Sequence, residues 1–307
     1  MERALLICNP SASQFTGGVF REVVAVLGRD FDLTTEWPTS ANETVAKTSK
    51  AVADGIDVVF AMGGDGVAHH VANTIVGSNT SLGIIPAGTT NVLARIFGIP
   101  EKPLAAAELA ATMKPQPTRM VRVEAETDDG IHTMHATFSL GVGFDADVVR
   151  AAESRPFAKE RFGGVHYATT AVGRLLSTWR TAKPQLRLTC DGDRFDGVIA
   201  LTQVHRPYTY FGKVPLHLTK EPHEGIVTLA ANNLGVLRSS EIFMRSVLGR
   251  KHRTATGTKV WSDYATLEVE ADPGVVFHAD GELLGTARHL AVTPHEGAMR
   301  VIRPADR

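Results

Sequence analysis

Hydrophobic and polar positions follow two different patterns along this chain, and the change from one to the other lies near residue 120. Before it, short apolar runs alternate with segments of helical periodicity, which predicts a parallel, three-layer α/β domain. Strands are predicted at Arg3–Cys8, Phe31–Glu36 and Asp57–Met62, and helices at Gly18–Leu27 and Asn42–Ala53.

After Pro115-Gln116-Pro117, apolar and polar residues alternate with a period of two. Turn sequences such as Asp128-Asp129-Gly130 separate these runs, which is typical of antiparallel strands and favours a β-sandwich. The predicted strands are Met120–Glu126, Thr133–Leu140, Gln185–Cys190, Phe195–Val204 and Ile226–Ala230.

Length, charge and cysteine content limit the classes of protein to which this chain can belong. A chain of 307 residues has room for two domains, and a net charge of −1 argues against a dedicated nucleic-acid-binding protein. Cys8 and Cys190 lie far apart without metal-type spacing, so no disulfide framework is implied and a cytoplasmic location is expected. The N-terminal apolar run is too short for a signal peptide, and no run approaches the roughly 18 residues that cross a bilayer. Any membrane contact is therefore expected to be peripheral.

Two glycine-rich sequences stand out, Gly63-Gly64-Asp65-Gly66 after the strand-like run Asp57–Met62, and Leu82–Asn91, which begins with the strand-like run Leu82–Ile85. Both lead into helix-like sequence. Glycine lets the backbone approach a ligand closely, and the next helix offers N–H groups and the positive end of its dipole to a phosphate. A carboxylate there would repel phosphate, so Asp65 is expected to bind through a metal ion or to accept a proton. The pair indicates a nucleotide-dependent phosphotransferase, and the absence of a Walker A sequence excludes the P-loop mechanism as a template.

The segment Gly63–Pro100 resembles the diacylglycerol kinase catalytic-domain family, which includes bacterial lipid kinases and sphingosine or ceramide kinases. The family pattern runs roughly GGDGT, NEV and LGxxPxGTxNDxAR, and this chain has GGDGV, His69-His70-Val71 and LGIIPAGTTNVLAR. Asn9-Pro10, the GVGFDA sequence at 141–146 and Asp280-Gly281-Glu282 match further family motifs, so the resemblance covers nearly the whole chain.

The resemblance implies a fold of two domains with the active site in the cleft between them. Residues 1–120 would form the nucleotide-binding α/β domain, similar to NAD kinase and phosphofructokinase. Residues 121–288 would form the lipid-substrate β-sandwich, and a tail over about 289–307 would return to the first domain.

The resemblance also implies an ATP- and Mg²⁺-dependent lipid kinase that phosphorylates the hydroxyl of a diacylglycerol-like or sphingoid lipid. Asp280 is favoured as the general base, Asp65 as the residue that organises nucleotide-bound Mg²⁺, and Glu282 as support from the same turn; the reverse assignment of the two aspartates stays open. The expected nucleotide-binding residues are Asn9, Pro10, Thr39, Gly63, Gly64, Asp65, Gly66, Gly88, Thr89, Thr90, Asn91 and Glu282.

Several of these residues also have simpler interpretations. Asp65 fits a helix cap, Asp280-Gly281 a hairpin turn and Asn9-Pro10 a turn after a strand. Asp145 fits a helix N-cap as well as a site residue. The adjacent His69 and His70 point about 100° apart on a helix, so they cannot form an i, i+4 metal pair.

Four departures from the family pattern bear on activity. Val67 replaces the Thr of GGDGT, His70 stands where Glu is usual, and Val92 replaces the Asp of GTxND. His223-Glu224-Gly225 stands where relatives have a DDG turn, so a structural magnesium site of some relatives is lost or altered. Together they leave open a catalytically weak nucleotide- or lipid-binding protein, and an NAD-kinase-like enzyme is a further alternative.

A lipid acceptor requires contact with a membrane surface. Arg150–Arg187 holds eight basic and two acidic residues around an apolar stripe that includes Trp179, which fits peripheral docking on anionic lipid. The alternative is that the stripe packs on the sandwich. Arg238–Arg253 is a second basic segment that fits the same idea, and a homodimer is left open.

Overall fold

A computed structural model describes residues 1–153, 170–174, 177, 179, 182–183, 185–219, 225–252 and 257–305. Within the basic segment Arg150–Arg187, the sequence analysis used several residues that lie outside these ranges: Arg155, Lys159, Glu160, Arg161, Ala168, Leu175, Leu176 and Arg180. Arg253 and the pair His223-Glu224 also lie outside them.

The chain groups into two compact units. The first comprises Met1–Met120 and Glu296–Arg307, and the second comprises Val121–His295. The chain passes from one unit to the other within strand β5 (Pro115–Thr127) and within strand β16 (Glu282–Ile302).

The first unit is an α/β domain, as predicted. Its parallel strands are β1 (Glu2–Cys8), β2 (Phe31–Glu36), β3 (Val58–Gly63) and β4 (Ser81–Pro86), in the order β4-β3-β1-β2, with the end of β16 parallel to β4. Its helices are α1 (Gly17–Leu27), α2 (Ala41–Ala53), α3 (Asp65–Ile75), α4 (Val92–Ile96) and α5 (Pro103–Ala110). Every residue of β3 and β4 is buried, as expected for parallel strands covered on both faces.

Side-chain caps fix where the first two helices begin. The Thr16 hydroxyl accepts the Val19 N–H at 3.1 Å, and the Ser40 hydroxyl accepts the Glu43 N–H at 3.2 Å. Both interactions satisfy an N–H group that has no partner inside the helix. They start α1 and α2 next to the carboxyl ends of β1 and β2, where the loops of the candidate site lie.

The second unit is mostly antiparallel sheet, also as predicted. Its strands after β5 are β6 (Gly130–Ala136), β7 (Ser139–Gly143), β8 (Leu186–Cys190), β9 (Asp193–Gly197), β10 (Ile199–Gln203), β11 (Thr209–Phe211), β12 (Val214–Leu216), β13 (Val227–Ala231), β14 (Thr258–Ser262), β15 (Leu267–Ala279) and β16. Helices α6 (Phe144–Glu153) and α7 (Val236–Val247) complete its described elements.

Strand β15 joins two groups of strands in this unit. Its first part pairs with β8 over Leu267–Ala271, and its last part pairs with β7 over Phe277–Ala279. One hydrophobic core takes side chains from both groups, including Leu188 and Val142. Cys190 lies in that core and Cys8 in β1; both are free, and burial raises the pKa of each thiol to about 12.

Two long strands predicted from the sequence are interrupted in the structure. Thr133–Leu140 divides into β6 and β7 because the N–H groups of residues 137–139 donate to the Asp280 carboxylate instead of to a neighbouring strand. Phe195–Val204 divides at Val198, whose N–H donates to Ala231 O at 2.8 Å. Alternation of apolar residues continues through the first break, and the continuous apolar run Val198–Leu201 spans the second, so the sequence pattern gives no sign of either break.

Candidate active site

The two glycine-rich segments meet at the carboxyl ends of β3 and β4. Gly63 O accepts the N–H groups of Ala87 and Gly88 at 2.8 and 3.2 Å. A Cβ atom added to Gly88 would lie 2.6 Å from Gly64 Cα, closer than real Cβ atoms approach. Only glycine at position 88 allows this backbone contact.

Asp65 connects these segments to helix α4. Its carboxylate oxygens accept the N–H groups of Val92 and Leu93 at 2.9 and 3.0 Å. Asp65 therefore caps α4, although it is itself the first residue of α3. Helix α3 has no side-chain cap at its own N-cap residue, Gly64. Each carboxylate oxygen can accept more than one hydrogen bond, so Asp65 keeps capacity for a metal ion or its water, and that role stays a prediction.

Asn91 holds the second glycine segment in shape. Its backbone is left-handed (φ +48°), its side-chain amide donates to Gly88 O at 2.8 Å, and its side-chain oxygen accepts the Gly88 N–H at 3.0 Å. The residue is 3% exposed. Asn91 thus shapes the segment, whereas Thr89 is exposed and Thr90 half-buried; their nucleotide contacts stay predictions.

The loop after β1 packs on the same two segments. Asn9 forms the turn proposed as its simpler interpretation, since its side-chain oxygen accepts the Ser11 N–H at 3.0 Å. Gln14 donates from its backbone to Ala87 O and from its side chain to Gly88 O, at 2.8 and 2.9 Å. Pro10 is exposed beside them, so three loops converge on one edge of the sheet.

A cavity of about 260 Å³ opens at this edge. Its lining contains the predicted nucleotide residues Asn9, Thr39 and Gly66, and also Val67 and His70, two of the departures from the family pattern. Its volume is slightly below the roughly 300–1,000 Å³ of typical ligand pockets, so it suits part of a nucleotide. The Thr39 hydroxyl donates to Glu43 at 3.0 Å.

Asp280 lies in a tight turn between β15 and β16 in the second unit. Its backbone is left-handed (φ +56°) and that of Gly281 is too (φ +83°), as a two-residue hairpin turn requires. The carboxylate accepts the N–H groups of Thr137, Phe138 and Ser139 at 2.8 to 3.1 Å, and the side chain is buried, with the residue 3% exposed. Asp280 is therefore fixed to the segment between β6 and β7, and its predicted role as base is untested.

A second network links the same turn to α6. His278 Nε2 lies 2.7 Å from Asp145 Oδ2, and the Tyr208 hydroxyl donates to that oxygen at 2.5 Å. The Gly281 N–H donates to His278 Nδ1 at 3.3 Å, so one ring nitrogen faces the turn and the other faces Asp145. Asp145 is thus a partner of the turn as well as a first-turn residue of α6.

Protonation in this network follows from its hydrogen bonds. Burial raises the pKa of Asp145, but the hydrogen bond and charge interaction with His278 and the hydrogen bond from Tyr208 outweigh it and hold that pKa below its usual value. Burial and the Asp145 charge raise the pKa of Tyr208 well above its usual value. Asp145 is therefore an anion that receives two donors, and its side chain is 29% exposed.

The glycines of GVGFDA make room for this network. A Cβ atom on Gly141 would collide with His278 Nε2 and would lie 2.5 Å from Asp145 Oδ2. Gly143 has φ +82°, a backbone conformation that residues with a Cβ atom rarely adopt. The sequence analysis missed His278 and Tyr208. The signal for His278 is its position at the end of β15, two residues before Asp280.

Three residues of the basic segment, Arg150, Arg174 and Trp179, bind the carboxylate of Asp147 in the second unit. Asp147 accepts hydrogen bonds from Trp179 Nε1 at 2.8 Å and from Arg174 and Arg150. Trp179 is 8% exposed and packs against Phe144. Of the two interpretations given for this segment, docking on lipid or packing within the unit, the burial of Trp179 in a core cluster favours packing for this residue.

Glu282 and the two histidines complete the residues singled out by the sequence. Glu282 is half-buried at the first position of β16, beside Gly281. His69 is buried and His70 half-buried, with ring centroids 5.4 Å apart. Among the described residues, no group of three His, Cys, Asp or Glu side chains is arranged to hold a metal ion. No described helix is long and apolar enough to cross a membrane.

Comparison with known proteins identifies the first unit. Residues 3–123 match the family model of the diacylglycerol kinase catalytic domain. The first unit is therefore similar to that catalytic domain. Among curated relatives, "Probable lipid kinase YegS-like" of Xanthomonas euvesicatoria pv. vesicatoria is 34% identical over 164 residues, which cover 50% of each chain.

Other relatives are consistent with this family. A diacylglycerol kinase of Mycobacterium tuberculosis is 35% identical over 126 residues, or 41% of this chain and 37% of the relative. The chain thus spans about half the length, or less, of these curated relatives.

Solved structures extend the likeness of fold to nearly the whole chain. A diacylglycerol kinase of Bacillus anthracis superposes with a TM-score of 0.70, covering 99% of this chain and 97% of the other at 16% identity. Yeast NADH kinase superposes with a TM-score of 0.53 at 10% identity, covering 99% and 84%. At these identities the likeness shows the fold alone, and it confirms the predicted relation to both kinds of kinase fold.

Proposed function

We propose that the protein is an ATP- and Mg²⁺-dependent lipid kinase that phosphorylates the hydroxyl of a diacylglycerol-like or sphingoid lipid. The observation that carries this proposal is the contact of two glycine segments, held together through Asp65, in a domain of the diacylglycerol kinase family. Phosphoryl transfer depends mainly on positioning and charge neutralisation, which backbone N–H groups on rigid loops can supply.

The residues present fit a nucleotide that carries its own magnesium ion. Gly63, Gly64 and Gly66 leave the start of α3 without bulky side chains, and the cavity beside Asn9 accepts part of the nucleotide. Mg²⁺ usually binds phosphates, waters and one or two carboxylates, so Asp65 alone is a sufficient protein partner. When bound, the ion neutralises charge on the transferred phosphoryl group.

The acid that accepts the hydroxyl proton is proposed to be Asp280, with Asp65 as the alternative. Glu282 is tested in addition to these two aspartates. The Asp280 carboxylate is buried against three N–H groups, whereas Glu282, next to the same turn, is half-buried. A base must come within hydrogen-bonding distance of the hydroxyl when substrate is bound.

The test is transfer of labelled phosphate from ATP with Mg²⁺ to diacylglycerol, monoacylglycerol, sphingosine and ceramide in mixed micelles. Asp65→Asn, Asp280→Asn and Glu282→Gln are assayed beside the wild type, and Thr16→Ala, which removes a helix cap, serves as control. We expect one lipid class to be labelled and the label to fall at least about a hundredfold in a variant that removes the base. Labelling of NAD in a parallel reaction, with no labelled lipid, would instead establish an NAD-kinase-like enzyme.

A catalytically weak nucleotide-binding protein is the second candidate. Val67 and His70 line the cavity with Asn9, so a hydroxyl and a carboxylate typical of the family are replaced at the site itself. This candidate predicts ATP binding by calorimetry without labelled product. Restoration of transfer in Val67→Thr with His70→Glu would attribute the weakness to these two positions.

A further inference from the structure

Helix α7 presents its apolar side outward. Among the described residues, eleven large hydrophobic side chains are exposed, and six of them lie on α7, at its C-terminus or in the β11–β12 hairpin. We call these six the α7 patch: Val214, Val236, Leu237, Phe243, Met244 and Leu248. Leu237 is 89% exposed, which is unusual for a leucine in a helix of a folded domain.

The inward side of the same helix is mixed: Ser246 is buried, and Ile242 packs against two core clusters. Ser246 lies opposite Leu237, Met244 and Leu248, which share one face at seven- and four-residue spacing. A surface helix normally presents charged or polar residues on its outer face, so an outer face of three large apolar residues is unusual. The hairpin belongs to the same surface, because Phe243 packs edge-on against Phe211 at 5.9 Å between ring centroids.

Positive charge surrounds the α7 patch. Residues 209–216 and 236–252 contain five basic residues and a single acid, Glu241. Arg245 binds Glu241 at 2.9 Å and Arg238 lies 3.7 Å from it, so the acid is already neutralised. Lys213, Arg250 and Lys251 are exposed at the hairpin tip and after the helix, with no ion pair to another described residue.

We propose that the α7 patch docks on an anionic lipid bilayer. An exposed apolar helix face flanked by Lys and Arg is the arrangement that lies in a membrane interface, with hydrophobic burial and headgroup attraction acting together. A second copy of the chain fits the α7 patch less well than an anionic bilayer does. In a two-fold dimer the same patch faces itself, so the basic residues around it would oppose each other without an acid to offset them.

This surface rests on the proposed lipid acceptor, but its test does not use that reaction. Flotation is measured with vesicles of phosphatidylcholine, with and without phosphatidylglycerol, that contain neither ATP nor an acceptor lipid. The apolar variant combines Leu237→Gln, Met244→Gln and Leu248→Gln. Ile131→Gln is its control, since Ile131 is also exposed (75%) in the second unit but lies on β6.

We expect the wild type to float best with phosphatidylglycerol, and the apolar variant to bind at least about tenfold more weakly, because it loses the buried apolar area. A second variant, Lys213→Gln with Arg250→Gln and Lys251→Gln, should lose most of the preference for phosphatidylglycerol, at about fivefold per charge. Arg194→Gln, which removes an exposed charge on β9, should bind like the wild type.

Three outcomes would overturn the proposal. The wild type does not float, or the apolar variant floats equally well, or light scattering shows a wild-type dimer that becomes a monomer in the apolar variant. Phosphorylation of short-chain, water-soluble forms of diacylglycerol, monoacylglycerol, sphingosine and ceramide is measured in parallel on every variant. Flotation without phosphorylation would contradict the proposed kinase and leave the docking surface standing.

Discussion

Single residues in the second unit decide whether the turn that carries Asp280 is fixed in place. His278 receives the Gly281 N–H on one ring nitrogen and contacts Asp145 with the other. Gly141 leaves the space in which His278 and Asp145 meet. Glycine in the GVGFDA motif therefore leaves space for the network, and the aspartate of the motif accepts its hydrogen bonds.

Replacing Gly141 tests this explanation. A methyl group in Gly141→Ala would collide with His278 and Asp145, so we expect a loss of about 1–3 kcal/mol in the free energy of unfolding, measured with urea, together with a loss of kinase activity. Gly17→Ala, at the start of α1 where the nearest atom would be 3.8 Å from the new Cβ, should not lose stability. Wild-type stability in Gly141→Ala would mean that the network is not tightly packed.

A buried histidine makes stability depend on pH. Burial, the neighbouring His295 and Arg122 lower the pKa of His135 from 6.5 to about 4. Between these values the unfolded chain binds a proton that the folded protein does not, so the free energy of unfolding decreases as pH falls from 6.5 to 4. His252, whose pKa burial also lowers to about 4, acts in the same direction.

The variant His135→Asn should flatten this dependence. We expect urea denaturation at a series of pH values to show up to about 2–3 kcal/mol less acid destabilisation than in the wild type. His132→Asn, on the exposed side of the same strand, is the control. An unchanged slope in His135→Asn would show that other groups dominate acid unfolding.

At the scale of elements, the short helix α4 depends on a residue from another helix. It has only five residues, and its first N–H groups donate to Asp65 rather than to a cap of its own. Asp65 therefore sets the position of Asn91 and the preceding glycine segment. The sequence analysis weighed a capping role for Asp65 but placed it on the helix that follows directly.

Asp65→Asn tests capping against direct contact with the nucleotide. The Asn amide presents N–H donors to the α4 N–H groups, so we expect a loss of about 1–2 kcal/mol in unfolding free energy along with weaker ATP binding by calorimetry. Thr16→Ala should lose comparable stability at α1 and keep ATP affinity. Reduced ATP binding or activity at unchanged stability would assign Asp65 directly to nucleotide-bound Mg²⁺.

At the scale of the whole molecule, the chain crosses from one unit to the other within strands β5 and β16. The change of pattern after Pro115-Gln116-Pro117 marks the unit boundary approximately, but these residues already belong to β5. The α7 patch is also a feature of this scale. In the sequence, Arg238–Arg253 is a basic segment. Only the folded unit shows that several large apolar side chains of this segment are exposed.

The sequence by itself determined the two kinds of sheet, the positions of β1 to β4, the glycine segments and the resemblance to the diacylglycerol kinase catalytic domain. These features depend on local periodicity and on glycine at strand ends, which neighbouring residues reveal. The tertiary structure decided the break between β6 and β7, the partners of Asp65 and Asp280, the Tyr208–Asp145–His278 network and the burial of Trp179. Each of these joins residues distant in the chain, and a hydrogen bond between distant residues leaves no periodic signal in the sequence.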